Sequence, residues 1–268
     1  MPRRIRIGEL LMSGLWTRIV IASLALFATL AGAAQATDLS NYLELRIYPV
    51  QEGRQERFLE FFEEHYLESQ EVLGMRIWGQ FRDLDNAGHF VWLRGYDNME
   101  DRLSGLQRFY TSPLWFETGS EAVSMLAGRA RHVHFLEPVS PEDGFEANTM
   151  RPLLASEDAA ADARGLLVAT VFRAEGEVEP LVETVRSTVA PVFEAAGGRQ
   201  LGLFRSSAEP NNFPMLPFIE DETVVVLFTS FDSRERYESV ALSEEMPEVF
   251  ETFVLEPGRR SRLRHRGE

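Results

Sequence analysis

The chain has 268 residues, 44% hydrophobic and 26% charged, with a formal charge of −15, no cysteine and no lysine, so that all 27 basic residues are arginine. Without cysteine there is no disulfide framework, thiol nucleophile or thiolate metal site, and without lysine there is no Schiff-base or pyridoxal phosphate chemistry. The negative field repels polyanions and speaks against nucleic acid as a partner, while the length supports a sizeable core divided over two units.

In chain order, Arg3, Arg4, Arg6 and Arg18 precede an uncharged apolar run from Ile19 to Leu30, and Ala34-Gln35-Ala36 offers small residues at the two positions a signal peptidase reads. Residues 1–36 are therefore expected to be a signal peptide, cleaved between Ala36 and Thr37. The mature protein would be periplasmic or secreted, with no stable membrane insertion. An uncleaved anchor is the alternative, although the run barely reaches spanning length; Met12 would serve as a start as well as Met1.

Residues 37–138 read as strand, helix, strand, strand, helix, strand. Tyr42 to Tyr48 alternates, with Leu43, Leu45 and Ile47 on one face and Glu44, Arg46 and Tyr48 on the other, as in a half-buried strand. Phe58, Phe61, Phe62 and Tyr66 recur at helical spacing over Gln55 to Ser69 and read as helix-to-sheet core. Gly74 breaks into a second strand, Met75 to Phe81, and a turn returns it as His89 to Gly95. Asp97 or Asn98 caps a helix through Phe109, Pro113 opens a short one to about Leu126, and Arg131 to Leu136 closes the unit.

Residues 139–164, rich in Pro, Asp, Glu and Ala, form a linker. Residues 165–268 then repeat the plan: strand Leu166 to Arg173, helix Val178 to Ala195, strands Arg199 to Ser206 and Thr223 to Thr229, helical segments from Ser233 to about Phe253, and a strand Ser261 to His265. A constant offset of 124 residues carries Tyr48 onto Phe172, Gly74 onto Gly198 and Phe81 onto Arg205. The basic run from Arg259 to Arg266 reads as an edge-strand charge device. A Pro-rich loop, Ser207 to Asp221, carries Phe213, Met215, Leu216 and Phe218, which must be buried over a cavity mouth, between the halves or against a second subunit. The expected fold class is α+β: two tandem ferredoxin-like (βαββαβ) domains closing into an intramolecular dimeric α-β barrel.

Glu44-Leu45-Arg46-Ile47-Tyr48, the helix ending Glu64-His65-Tyr66, Gly74, the strand ending Gly79-Gln80-Phe81, Val91-Trp92-Leu93-Arg94 and Ser112-Pro113-Leu114-Trp115 together resemble the NIPSNAP family. The resemblance is specific over Asn41 to Pro138 and weaker over Gly165 to His265. It implies membership of the dimeric α-β barrel superfamily, whose relatives include cofactor-free monooxygenases, muconolactone isomerase and haem-handling enzymes. It brings no agreed catalytic set, and fold alone leaves chemistry open.

If the apolar strand positions face the helices, the alternate positions line the barrel interior: Glu44, Arg46 and Tyr48; Arg76, Trp78 and Gln80; Phe90, Trp92 and Arg94; and His132 and His134, opposite a greasy wall that includes Phe172. Arg46, Arg76 and Arg94 would hold the anionic or carbonyl end of a small hydrophobic or aromatic ligand between the two sheets, with Tyr48, Trp78, Trp92 and Phe172 against its body. Alternatively these Arg and Glu side chains neutralise one another inside a filled barrel. Were the site catalytic, His132 or His134 would be the general base, with Arg46 or Arg94 stabilising an enolate or phenolate. His132 and His134 with Glu44 or His265 would make a metal site, but two His at a strand terminus are more often hydrogen-bonded or solvated, so no metal and no cofactor are expected. The function expected is small-molecule binding. A cofactor-independent monooxygenase or isomerase and a non-catalytic protein-interaction module are the rivals, and a homodimer is left open.

Overall fold

The computed structural model describes residues 40–146, 149–152, 165–241 and 246–265. The leader, its cleavage site and residues 153–164 of the linker lie outside the described residues. Eight strands close an antiparallel barrel: β1 (Tyr42–Pro49), β2 (Arg76–Asp83), β3 (His89–Tyr96), β4 (His132–Pro138), β5 (Leu166–Arg173), β6 (Arg199–Ser206), β7 (Val224–Phe231) and β8 (Val249–Pro257). Their order around the barrel is β1-β3-β2-β8-β5-β7-β6-β4. Each half is a four-stranded sheet, β4-β1-β3-β2 or β8-β5-β7-β6, and the halves meet at two short seams. At one seam Phe81 pairs with Pro257 and Arg82 with Glu256; at the other Phe204 pairs with Pro138 and Arg205 with Glu137. Arg82 Nε lies 2.7 Å from Glu256 and Arg205 Nε 3.1 Å from Glu137, so both seams carry the same ion pair.

Helices cover the outside. Over the first half lie α1 (Gln55–His65), α2 (Leu67–Glu71), α3 (Met99–Tyr110) and α4 (Pro113–Ser124). Asn98 and Ser112 cap α3 and α4 by accepting from the backbone N–H groups of Asp101 and Trp115, and Pro113 at the start of α4 gives up an N–H that would have no partner there. Over the second half α5 (Glu179–Thr184) passes through a π turn, Val185–Val189, into α6 (Ala190–Ala195). Pro191 has no N–H for the regular ladder, and the π turn lies immediately before it. A short α7 (Arg234–Glu238) follows β7. Among the described residues no helix is long and apolar enough to cross a membrane.

The core has three layers. Leu43, Leu45 and Ile47 pack in the barrel interior with Leu167, Ala169, Val171, Val226 and Phe228 from the other half. Phe58, Phe62, Tyr66, Phe90 and Trp92 form the layer under the first half's helices, and Val168, Phe172, Val185, Val225 and Leu227 the layer under the second's. The facing inferred from alternation is thus reversed on β1: its aliphatic face fills the lumen and its charged face lies under the helices. A two-residue period says which side chains share a face, not which layer that face meets.

Two further expectations change. The last strand is Val249–Pro257, not Ser261 to His265. Residues 258–265 instead cross the bulge in β2, where the ladder shifts register between Ile77 and Gly79. Arg262 and Leu263 donate their N–H groups to Trp78 O at 3.1 and 3.0 Å, satisfying the carbonyl that the bulge frees. The basic run is no edge device, because Arg260 pairs with Glu68 and Arg262 with Glu71 on α2. The offset also falls by one at the second strand. Gly74 and Gly197 hold positive φ (83° and 90°), and β6 bulges between Gln200 and Gly202, so Phe81 matches Phe204 rather than Arg205.

Candidate functional site

One carboxylate organises the outer face of the first sheet. Glu44 on β1 is paired in register with Arg94 on β3, and Arg46 with Trp92. Glu44 Oε2 accepts from Arg46 Nη1 at 2.9 Å, from Arg94 Nε and Nη2 at 3.0 and 2.6 Å, and from Tyr96 OH at 3.2 Å. Its Oε1 accepts from Arg102 Nε and Nη2 at 3.0 and 2.9 Å. Glu44, Arg46, Arg94 and Arg102 are each at most 1% exposed. Burial alone would raise the Glu44 carboxyl pKa, but the facing guanidiniums of Arg94, Arg46 and Arg102 outweigh it and hold the group well below the usual carboxylate range. The cluster carries three positive charges on one negative. Arg46 Nη2 and Trp92 Nε1 are buried without a hydrogen-bond partner.

Above this cluster, between the β1–β3 face and helices α1, α3 and α4, lies a cavity of about 770 Å³. Tyr48, Phe58, Phe62, Tyr66, Trp92, Phe109, Tyr110, Trp115 and Phe213 line it, Arg94 and Gln70 mark its polar floor, and Arg129, Arg131, Val123 and Met215 also contribute. Tyr48 meets Trp92 edge-on at 5.6 Å, and Tyr110 stacks on Phe213 at 5.9 Å. Arg94 sits 4.8 Å from the Trp92 ring and Arg46 5.4 Å from both Trp92 and Tyr48. Burial pushes the Tyr66 and Tyr110 hydroxyls above their ordinary pKa. Phe213 arrives on the Pro-rich loop, which is tied to α3 where Arg102 Nη1 donates to Asn212 Oδ1 at 2.7 Å.

On the opposite face of the same sheet, inside the barrel, His132 and His134 of β4 point their Nε2 atoms at Glu251 Oε2 on β8, at 3.0 and 3.3 Å. Burial would raise the Glu251 pKa, but the two imidazole hydrogen bonds outweigh it and hold it down at about 2.

Residues 43–141, the segment from β1 through β4, match the NIPSNAP family model. The likeness to that family is confined to the first half of the chain. Similar solved structures include an uncharacterized NIPSNAP domain protein from Burkholderia xenovorans (21% identity, 37% of this chain and 95% of that one, TM-score 0.34). A NIPSNAP family protein from Agrobacterium tumefaciens is similar at 17% identity over 37% of this chain and 93% of its own, TM-score 0.34. A protein assigned provisionally as a monooxygenase, from Lactobacillus acidophilus, aligns over 81% of this chain and 94% of its own at 10% identity, TM-score 0.47. A comparison with curated proteins gives no match.

The segment that matches the family model gathers Tyr48, Trp92 and Arg94 at the cavity, with Arg46 directly beneath them. The other expected ligand residues lie elsewhere. Trp78 points into the lumen against Phe145, with its Nε1 donating to Ser40 Oγ at 3.0 Å; Arg76 is half-buried beside it; and Phe172 packs under the second half's helices. His132 and His134 do not line the cavity, which therefore lies between a sheet and its helices rather than between the two sheets. The third group beside His132 and His134 is Glu251, not Glu44 or His265, the two considered from the sequence; His265 stands 3.4 Å from Ser230.

Sequence reasoning missed Arg102, Gln70, Tyr110, Trp115 and Glu251. Arg102 was within reach: it falls on the same stripe of α3 as Leu106 and Phe109, all three buried, and a charge on a core stripe needs a buried partner. The aromatic stripe of α1 does serve as core, and its Phe58 and Phe62, with Tyr66 just beyond, also wall the cavity.

Proposed function

We propose that the barrel binds a small hydrophobic or aromatic molecule bearing a carboxylate, phenolate or carbonyl end, within the cavity under the first half's helices. The observation that carries this reading lies at and just beneath the cavity floor: Arg94 and Trp92 line it, and the cluster below them holds a buried net charge of two, with Arg46 Nη2 and Trp92 Nε1 left unpartnered. Uncompensated buried cations are costly, and an anionic oxygen reaching them would relieve that cost. The aromatic walls suit a ring or acyl body. No His, Asp or Glu is among the described lining residues, and burial keeps Tyr66 and Tyr110 protonated, so the lining offers donors rather than a base. Binding is favoured over the oxygenase or isomerase reading, which needs a base in reach of the reacting atom.

The chain is also proposed to be two tandem units, 37–138 and 165–268, joined by the linker 139–164. The matching seams support this: Arg82–Glu256 with Phe81–Pro257, and Arg205–Glu137 with Phe204–Pro138. Export with cleavage after Ala36 rests on the arginines ahead of the Ile19 to Leu30 run, and the intact mass of the protein from a periplasmic fraction tests it.

Binding is tested with 1-naphthoate and its neutral counterpart 1-naphthylmethanol, alongside native mass spectrometry of protein purified from its own source. The carboxylate should bind at least about tenfold more tightly, the worth of one charge-assisted hydrogen bond. Arg46→Met should remove that preference. Equal affinity for acid and alcohol, or none for either, overturns the reading.

A further inference from the structure

We propose that His132, His134 and Glu251 bind a divalent first-row transition-metal ion within the barrel. β4 and β8 are four strands apart in either direction around the ring of eight, so Glu251 reaches the two imidazoles from the opposite wall. Its Oε2 lies 3.0 Å from His132 Nε2 and 3.3 Å from His134 Nε2, and the three ligand atoms fall within 4.8 Å of one another. Bonds of about 2.0–2.2 Å to one ion place neighbouring ligand atoms about 3.0–3.5 Å apart. The two separations from Glu251 Oε2 already match that spacing, and the third, between the imidazoles, lies within 4.8 Å, so small side-chain rotations bring all three to a shared ion.

The surroundings fit as well. The rungs beside the cluster are apolar: His134 is paired with Leu45 and His132 with Ile47, and the Phe253 ring lies 6.0 Å from His132. A carboxylate and two imidazoles meeting in a lumen otherwise packed with Leu, Val and Phe are costly as structure alone, since apolar side chains of similar volume would fill the space without desolvating a charge. His134 is 2% exposed, but His132 and Glu251 are 33% and 26% exposed, which leaves one side open for entry and for water to complete the coordination. Two imidazole nitrogens and one carboxylate oxygen form a borderline donor set, suited to zinc, iron(II), cobalt(II) or nickel(II) and poorly suited to magnesium or calcium. The site lies on the other face of the sheet from the aromatic cavity, so it stands apart from the small-molecule reading.

The test uses the full chain without a histidine tag, stripped with chelator and titrated with zinc(II) by calorimetry and with cobalt(II) by visible absorption. The expected result is one ion per chain, intense cobalt bands of a four- or five-coordinate site, and no heat from magnesium. Glu251→Gln and His132→Gln, both nearly isosteric and partly exposed, should weaken zinc binding more than about tenfold with circular dichroism unchanged. His265→Gln should leave it as it was. Affinity weaker than about 100 μM, or zinc binding that Glu251→Gln does not alter, overturns the proposal.

Discussion

Arg102 lays two nitrogens on Glu44 Oε1, at 3.0 and 2.9 Å, joining helix α3 to strand β1. Glu44 thus holds three guanidiniums, and removing its charge leaves all of them buried and mutually repelling. Glu44→Gln should destabilise the fold by about 3–5 kcal/mol, measured by urea unfolding monitored through tryptophan fluorescence. A loss below about 1 kcal/mol, the size of an ordinary hydrogen bond, would show that the cluster is not held as described.

Acid should act through the same residue. The folded pKa of Glu44 is depressed, as is that of Glu251 at about 2, so their contribution is present above the unfolded carboxylate value and is lost as pH falls. Stability should decline from about pH 4.3 downward, with the Glu251 share gone near pH 2. The decline should be shallower in Glu44→Gln than in the parent. Identical slopes of unfolding free energy against pH would contradict this.

The Pro-rich loop is held over the cavity by Asn212, whose side chain accepts from Arg102 and donates to Met99 O. Asn212→Ala should cost about 1–2 kcal/mol and speed hydrogen exchange at residues 211–217, while bound naphthoate dissociates faster. Unchanged exchange there would mean that the other contacts of the loop, Arg102 with Asn211 and Phe213 with Tyr110 among them, suffice to hold it.

At Gly79 an added Cβ would run into the Phe81 ring and Ser261 Oγ, whereas at Gly176 nothing lies within 4 Å. Gly79→Ala should therefore cost about 1–3 kcal/mol through overpacking at the bulge, and Gly176→Ala should be close to neutral. Thermal melts of the two variants side by side decide it.

Much of the first half was legible because its alternation is clean: strands expected at Tyr42 to Tyr48 and His89 to Gly95 end within a residue of β1 and β3. The last strand was not. In Val249–Pro257 apolar residues fall on both faces, since β8 packs on the lumen and on the second half's helix layer, so the two-residue period vanishes. The arginines from Arg260 onward imitate that period in the sequence, while Arg260 and Arg262 serve as ion-pair partners of α2. The cavity was misplaced for a related reason: Glu44, Arg46 and Arg94 were recognised as one face, but only the third dimension tells which layer the face meets. Glu251 comes from β8, the one strand the pattern hid, and so could not be joined to His132 and His134 in advance.

His132 and Glu251 occupy the same step of their strands, one beside Ile47 on β1 and the other beside Val171 on β5. Two identical polypeptides related by a two-fold axis would be obliged to put the same residue at both places, so that a base would face a base and an acid an acid. A single polypeptide is free of that obligation. The contact across the middle of this barrel is between unlike partners, and covalent continuity is what permits a centre that no exact two-fold could build.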